Sequence, residues 1–89
     1  MSRSIFRYKV PVDDAVHDIP CGPSPIVHVE AREHEWVEFW CEIDLAESDP
    51  SVRQFQVFGT GHLLPPNVRH VGTALAPYGL VWHLYEVTS

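Results

Sequence analysis

The sequence predicts an all-β domain, a small antiparallel β-sandwich or flattened barrel of about seven strands. Apolar and polar side chains alternate in several short segments, and the i, i+3, i+4, i+7 spacing of an amphipathic helix persists nowhere. Eight prolines and five glycines divide the chain into short pieces separated by turn signals. A chain of 89 residues is expected to form one domain, and no linker composition divides residues 1–89.

Seven segments have the pattern of β-strands. The first alternates Phe6, Tyr8 and Val10 with basic residues, and Pro11 marks an edge or a strand end because proline has no N–H to donate. The third alternates Val27, Val29 and Ala31, as the residues expected to face the core, with polar residues. The fifth is expected to face the core through Phe55 and Val57. The predicted strands cover residues 5–12, 15–19, 26–32, 34–44, 53–58, 69–75 and 80–87.

Turn signals join these segments. Residues 32–35 are expected to close a hairpin between the third and fourth strands, and residues 59–66, GTGHLLPP, form an irregular loop. In the turn of residues 76–79, Pro77 presets φ and Gly79 can adopt a positive φ. The last strand is apolar on both faces apart from His83 and Glu86. This pattern predicts a central position in its sheet, or cover by a partner.

Composition excludes several classes of function. The formal charge of −6 and six scattered basic residues argue against nucleic-acid binding, which needs clustered lysine and arginine. No apolar run approaches the roughly 20 residues of a membrane helix, and the first ten residues lack a signal-peptide core. We therefore expect no membrane association and a cytoplasmic location. Cys21 and Cys41 are expected to be free thiols, the second one buried.

The stretch of residues 34–44, HEWVEFWCEID, is the most informative part of the chain. One face of the predicted strand is apolar and should be core; it comprises Val37, Phe39, Cys41 and Ile43. The other face sets two tryptophans among carboxylates; it comprises Trp36, Glu38, Trp40, Glu42 and Asp44. Large aromatic side chains on a face that should be wet suggest a contact surface, so we predict a protein-binding site at Trp36, Glu38, Trp40 and Glu42.

Two alternatives remain for this strand and its surroundings. Both tryptophans could instead be core, covered by a loop such as residues 59–66 or by a second sheet, because tryptophan is seldom left exposed. The hairpin should bring His28, Glu30 and Arg32 alongside the Trp-Glu face. The sequence does not decide between these alternatives.

Other motifs carry weaker signals. GTGH lacks the third glycine of a GxGxxG loop and no helix follows it, so we interpret it as a structural corner where Thr60 and His62 could bind a ligand. No metal site is predicted, because close histidine or cysteine pairs are missing. His62, His70 and His83 could converge only if their strands are neighbours.

Catalytic signatures are missing as well. The serines are terminal or lie in turn-rich loops, and Glu38 and Glu42 would be roughly 13 Å apart on a strand, too far for a glycosidase pair. The chain is therefore expected to act without catalysis and without a cofactor.

Three segments, IFRYKV, RQFQVFGTGHLLPP and HVGTALAPYGLVWHLYEV, resemble a group of short uncharacterised proteins of tailed bacteriophages of actinobacteria, mycobacteriophages among them. The matching positions are Phe58, Gly59, Thr60, Gly61, His62, His70, Gly72, Thr73, His83, Glu86 and Val87. The resemblance implies a phage origin and the cytoplasm of an infected bacterial host, but no activity. The segment EHEWVEFWCEIDLAESDP departs most from that pattern.

The functional expectation is a small phage accessory protein that binds a host or phage protein through the aromatic, acidic face, as a homodimer. One alternative is a minor virion component. Another is a small-ligand binder or metal-assisted enzyme that uses His62, His70 and His83.

Overall fold

Seven β-strands make up most of the computed structural model, which describes residues 2–47 and 49–88. The strands are β1 (Arg3–Pro11), β2 (His17–Ile19), β3 (Ile26–Glu30), β4 (Trp36–Asp44), β5 (Arg53–Gly59), β6 (Val68–Leu75) and β7 (Val81–Val87). Within the described ranges the one helical element is the 3-10 turn Pro77–Gly79, where both Tyr78 and Gly79 have a positive φ. The predicted all-β class and number of strands are confirmed.

The strands form two antiparallel sheets that pack face to face. The three-stranded sheet has the order β1-β4-β3, and the four-stranded sheet has the order β2-β5-β7-β6. β7 lies between β5 and β6, which confirms the central position predicted from its apolar pattern. The predicted hairpin between β3 and β4 is also present. The architecture is therefore sandwich-like, with β4 and β7 as central strands.

The core lies between the two sheets. Val37, Phe39 and Cys41 on β4 are fully buried, as predicted, and Ile43 packs against them half-buried at the end of the strand. From the other sheet, Phe55 packs on Phe39 with ring centroids 4.8 Å apart and the rings tilted by 41°. Each such side chain contributes about 1.5 to 3 kcal/mol by leaving water. The remaining buried apolar core residues include Val10, Ile19, Ala31, Val57, Ala74 and Leu84.

Two β-bulges change which side chains face the core. A register shift between Ile26 and His28 turns Val27 to solvent, so the prediction that Val27 faces inward is wrong, and Ile26 packs on the core instead. A second shift lies between His70 and Gly72 in β6. His70 and Thr73 are three residues apart, yet the bulge sets both on the outer side of the sheet.

The two sheets approach each other closely where β6 meets β3. A Cβ added at Gly72 would lie 2.6 Å from Cγ2 of Val29, closer than side-chain carbons approach in folded proteins. Glycine at position 72 is therefore required by this close approach.

Both cysteines are free and buried, Cys21 in the segment after β2 and Cys41 on β4. A hydrogen bond with Cys41 lowers the pKa of the Cys21 thiol to about 7. The same contact and burial raise the pKa of the Cys41 thiol. Among the described residues, no helix is long and apolar enough to cross a membrane.

Candidate functional site

The outer side of the three-stranded sheet carries the residues predicted to bind a protein. We call this surface the tryptophan face. It comprises Arg3, Arg7 and Lys9 on β1, Trp36, Glu38, Trp40 and Glu42 on β4, and His28 and Arg32 at β3 and the loop that follows. The pairing of β1 with β4 sets Lys9 opposite Glu38 and Arg7 opposite Trp40. His28 lies opposite Trp40 from the other side, as the predicted hairpin requires.

Both tryptophans of this face are half-buried, and polar side chains cover them. Lys9 Nζ lies 4.2 Å from the ring centroid of Trp36, a cation–π contact. The Arg32 guanidinium lies 5.9 Å from the centroid of Trp40, and the ring of His28 lies 5.5 Å from it. Neither tryptophan packs in the core between the sheets and both stay partly exposed, so the alternative that they are core residues covered by a loop or by the second sheet is wrong.

Glu38 is the buried charge at the centre of the tryptophan face, only 2% exposed. Arg32 donates to both of its carboxylate oxygens, from Nε at 2.8 Å and from Nη2 at 2.7 Å. Arg7 Nη1 adds an ion pair at 3.4 Å. The hydrogen bonds from Arg32 hold the pKa of the Glu38 carboxyl below its ordinary value of 4.5 against the opposing effect of burial.

The charge of the tryptophan face differs from the acidic surface that was predicted. Four of the six basic residues of the chain lie on it, because β1 and the β3–β4 loop bring them beside β4; they are Arg3, Arg7, Lys9 and Arg32. Arg3 pairs with Glu42. Three of these bases, together with Trp36, Glu38 and Glu33, line a depression of about 430 Å³. The face is thus aromatic and mixed in charge.

The outer side of the four-stranded sheet holds a chain of four hydrogen-bonded side chains. Thr60 Oγ1 lies 2.8 Å from Nε2 of His83, and His83 Nδ1 lies 2.9 Å from Oγ1 of Thr73. Thr73 Oγ1 also lies 2.9 Å from Nε2 of His70. We call these four residues the hydroxyl–imidazole chain. The order β5-β7-β6 and the bulge in β6 bring them together.

The predicted ligand residues Thr60 and His62 line one cavity of about 180 Å³ beside this chain. The turn is closed by the His62 N–H, which donates to the Gly59 carbonyl at 3.2 Å, and the Gly59 N–H donates to His62 Nδ1 at 3.2 Å. Gly61 has a φ of 90° in this turn. The cavity walls also include Phe58, Leu64, His83 and Tyr85.

Of the three histidines considered for a metal site, His83 lies near each of the other two. His70 and His83 are joined through Thr73, and His62 shares the cavity with His83. Among residues 2–47 and 49–88, however, no group of three or more histidine, cysteine or acidic side chains is arranged to hold a metal ion. Sequence reasoning missed Thr73, since only the bulge before it brings its hydroxyl between the two imidazoles.

A second carboxylate, Glu86, is half-buried and held by two arginines. Arg53 donates to it from Nε at 2.9 Å and from Nη2 at 2.8 Å, and Arg69 Nη2 donates at 2.6 Å. Arg53 also donates to the carbonyl of Ser24 at 2.8 Å. The hydrogen bonds from Arg53 lower the pKa of Glu86. This network ties the loop of residues 20–25 to the four-stranded sheet.

Comparisons with known proteins identify a family, but that family has no assigned activity. No curated protein matches the chain, and no solved structure matches it. One family, described as a domain of unknown function, matches residues 1–89, so it spans both sheets, the tryptophan face and the hydroxyl–imidazole chain. The chain belongs to this family, DUF7352.

Proposed function

We propose that this chain is a protein-binding module that acts through the tryptophan face, without catalysis or a cofactor at that face. The observation that carries the proposal is the pair Trp36 and Trp40, half-buried on the outer side of a sheet whose inner side already forms the core. Large rigid rings held in place lose little entropy on binding, which is why tryptophan is common at binding hot spots.

The chemistry of the face indicates what the partner presents. The depression next to Trp36 is lined by Arg7, Lys9 and Arg32. Arg32 uses Nε and Nη2 to bind Glu38, which leaves other N–H groups of its guanidinium for a partner. A carboxylate of the partner would complete the hydrogen bonds of these cations, while an apolar neighbour would cover the tryptophan. We therefore propose a partner surface that combines an acidic residue with an apolar one.

The proposed setting is the cytoplasm of a bacterium infected by a phage. The resemblance of three segments to phage proteins supports an accessory protein that binds a host or phage protein in the cytoplasm of an infected bacterium. A second copy of the chain also fits the partner chemistry, because the chain has twelve acidic residues. Analytical ultracentrifugation tests the homodimer, and mass spectrometry of purified particles tests the alternative of a minor virion component.

The test is a pull-down from host lysate with immobilised wild-type protein and a Trp36→Ala/Trp40→Ala variant. The matched control is Leu75→Ala/Tyr78→Ala, which removes two exposed apolar side chains from the other sheet and its adjoining turn. We expect wild type and the control to retain the same protein and the tryptophan variant to lose it, with all three equally folded by circular dichroism. Capture of the same proteins by the tryptophan variant would refute the proposal.

A further inference from the structure

The hydroxyl–imidazole chain has the order of a nucleophile, a base and a group that orients the base. The hydroxyl of Thr60 lies within hydrogen-bond reach of Nε2 of His83. On the other side of the ring, Nδ1 is held by the Thr73 hydroxyl. An alcohol next to an imidazole that is itself oriented by a third group is the arrangement that activates serine and threonine hydroxyls in covalent catalysis.

In the hydroxyl–imidazole chain, every donor finds an acceptor when all the hydrogen bonds run from Thr60 towards His70. When Thr60 donates its proton to Nε2 of His83, the ring carries its own hydrogen on Nδ1 and donates it to Thr73 Oγ1. The Thr73 hydroxyl then donates to Nε2 of His70. In this direction, the lone pair of His83 Nε2 faces the Thr60 hydroxyl, which is the state that a general base requires.

The cavity beside Thr60 sets the size of molecule that could react. It has a volume of about 180 Å³ and an apolar wall formed by Phe58, Leu64 and Tyr85. Gly61 leaves open space next to Thr60, since a Cβ added there would have no atom within 4 Å. Thr60 itself is exposed to solvent. A short acyl group fits this space.

We infer that Thr60 is an acyl-accepting nucleophile and His83 its general base, in a site that hydrolyses esters of short carboxylic acids. This site lies on the sheet opposite the tryptophan face, so the inference does not depend on the proposed protein binding. Thr73 and His70 are positioning residues, because they act on the substrate only through the orientation of His83.

The reaction balances without a metal or a redox partner. Thr60 Oγ1 attacks the ester carbonyl carbon while its proton moves to His83 Nε2, and the ester C–O bond then breaks as the leaving alcohol takes that proton. Water attacks the acyl–Thr60 ester and gives a proton to Nε2, and this proton returns to Oγ1 as the carboxylic acid leaves. The sum is ester plus water giving acid plus alcohol.

The experiment uses p-nitrophenyl acetate with the full chain and measures p-nitrophenol release and the mass of the protein after a short reaction. We expect an acetyl group on the peptide that contains Thr60, and at least a roughly tenfold loss of rate in Thr60→Val and in His83→Gln. Thr60→Ser should keep activity. Because free imidazoles also cleave this ester slowly, His34→Gln is the control, an exposed histidine in the β3–β4 loop, and should react at the wild-type rate.

The positioning role has its own readout. Thr73→Val should lower kcat with little change in KM, and Thr73→Ser should restore kcat, since the serine hydroxyl can hold Nδ1 in the same way. A Thr60→Val protein that is folded and turns over at the wild-type rate would overturn the inference. So would an acetyl group found on a different residue only.

Discussion

The outer sides of the two sheets use polar groups in opposite ways. On the three-stranded sheet, charged side chains pair with one another and lie over Trp36 and Trp40, which produces a broad aromatic surface with mixed charge. On the four-stranded sheet, hydroxyls and imidazoles follow one another beside a small cavity. The first arrangement suits a large partner, and the second suits a small molecule. One sandwich therefore presents two chemically different outer surfaces.

The six basic residues account for much of this difference. Four lie on the tryptophan face, and the remaining two, Arg53 and Arg69, both pair with Glu86. The carboxylates of Glu38 and Glu86 are held alike, each by a two-point contact from one arginine and an ion pair with a second arginine. The arginines that make the two-point contacts differ in burial: Arg53 is largely buried, whereas Arg32 is exposed. Breaking the two networks should therefore have unequal effects.

The largest effect is expected from Glu86→Gln. This change leaves the Arg53 guanidinium without its carboxylate in a largely buried place, which should lower the free energy of unfolding by about 3 kcal/mol. Arg69→Met is the matched control, because Arg69 is exposed and its loss should cost less than about 1 kcal/mol. Urea denaturation measures both. Equal losses in the two variants would contradict the difference in burial on which the comparison rests.

A smaller effect, about 2 kcal/mol, is expected from Gly72→Ala, which tests how closely the two sheets pack. The added methyl group would meet Val29 at 2.6 Å. Thermal unfolding of Gly72→Ala, Val29→Ala and the double variant forms a cycle. The second change should cost less in the presence of the first than alone, since each relieves the other. Strict additivity would mean that the sheets do not meet at this point.

Glu38→Gln should lower stability by about 1 kcal/mol, less than Glu86→Gln, because the arginines that hold Glu38 are in contact with water. The same variant should loosen Arg32 over Trp40. Acrylamide quenching of tryptophan fluorescence should therefore increase relative to wild type. Unchanged quenching would indicate that Arg32 does not need Glu38 to cover the ring.

Acid should remove the contribution of both carboxylates. Their pKa values are lowered on folding, so they stabilise the protein at a pH above the ordinary value of 4.5, and this stability is lost as the pH falls below it. The urea concentration at the unfolding midpoint should decrease when the pH is lowered from about 5 to about 3. The decrease should be smaller in Glu38→Gln and in Glu86→Gln than in wild type. An equal fall in all three proteins would show that other groups cause the acid sensitivity.

Much of the β4 core could be predicted from the sequence, and the residues that could not be predicted have physical reasons in common. Val37, Phe39 and Cys41 were identified as core because a strand of period two needs only local information. Val27 and Thr73 were misjudged or missed, since each lies next to a bulge that shifts the alternation by one residue. The tryptophan face was predicted to be acidic because Arg7 and Lys9 reach it only through the long-range pairing of β1 with β4.

The hydroxyl–imidazole chain could not be predicted from the sequence either, because it also depends on long-range strand pairing. Thr60, Thr73 and His83 lie on three different strands or their ends, and they meet only because β7 is placed between β5 and β6. The sequence predicted that β7 is central, but it did not predict which strands flank it. Strand order is a property of the whole fold, which no local pattern reports.

Calorimetric titration of the captured partner tests most directly whether the tryptophan face binds a protein. The Trp36→Ala/Trp40→Ala variant should bind it at least about tenfold more weakly than wild type, while Leu75→Ala/Tyr78→Ala should match wild type. Equal affinities for the two double variants, or a wild-type protein that retains no partner from lysate, would contradict the claim.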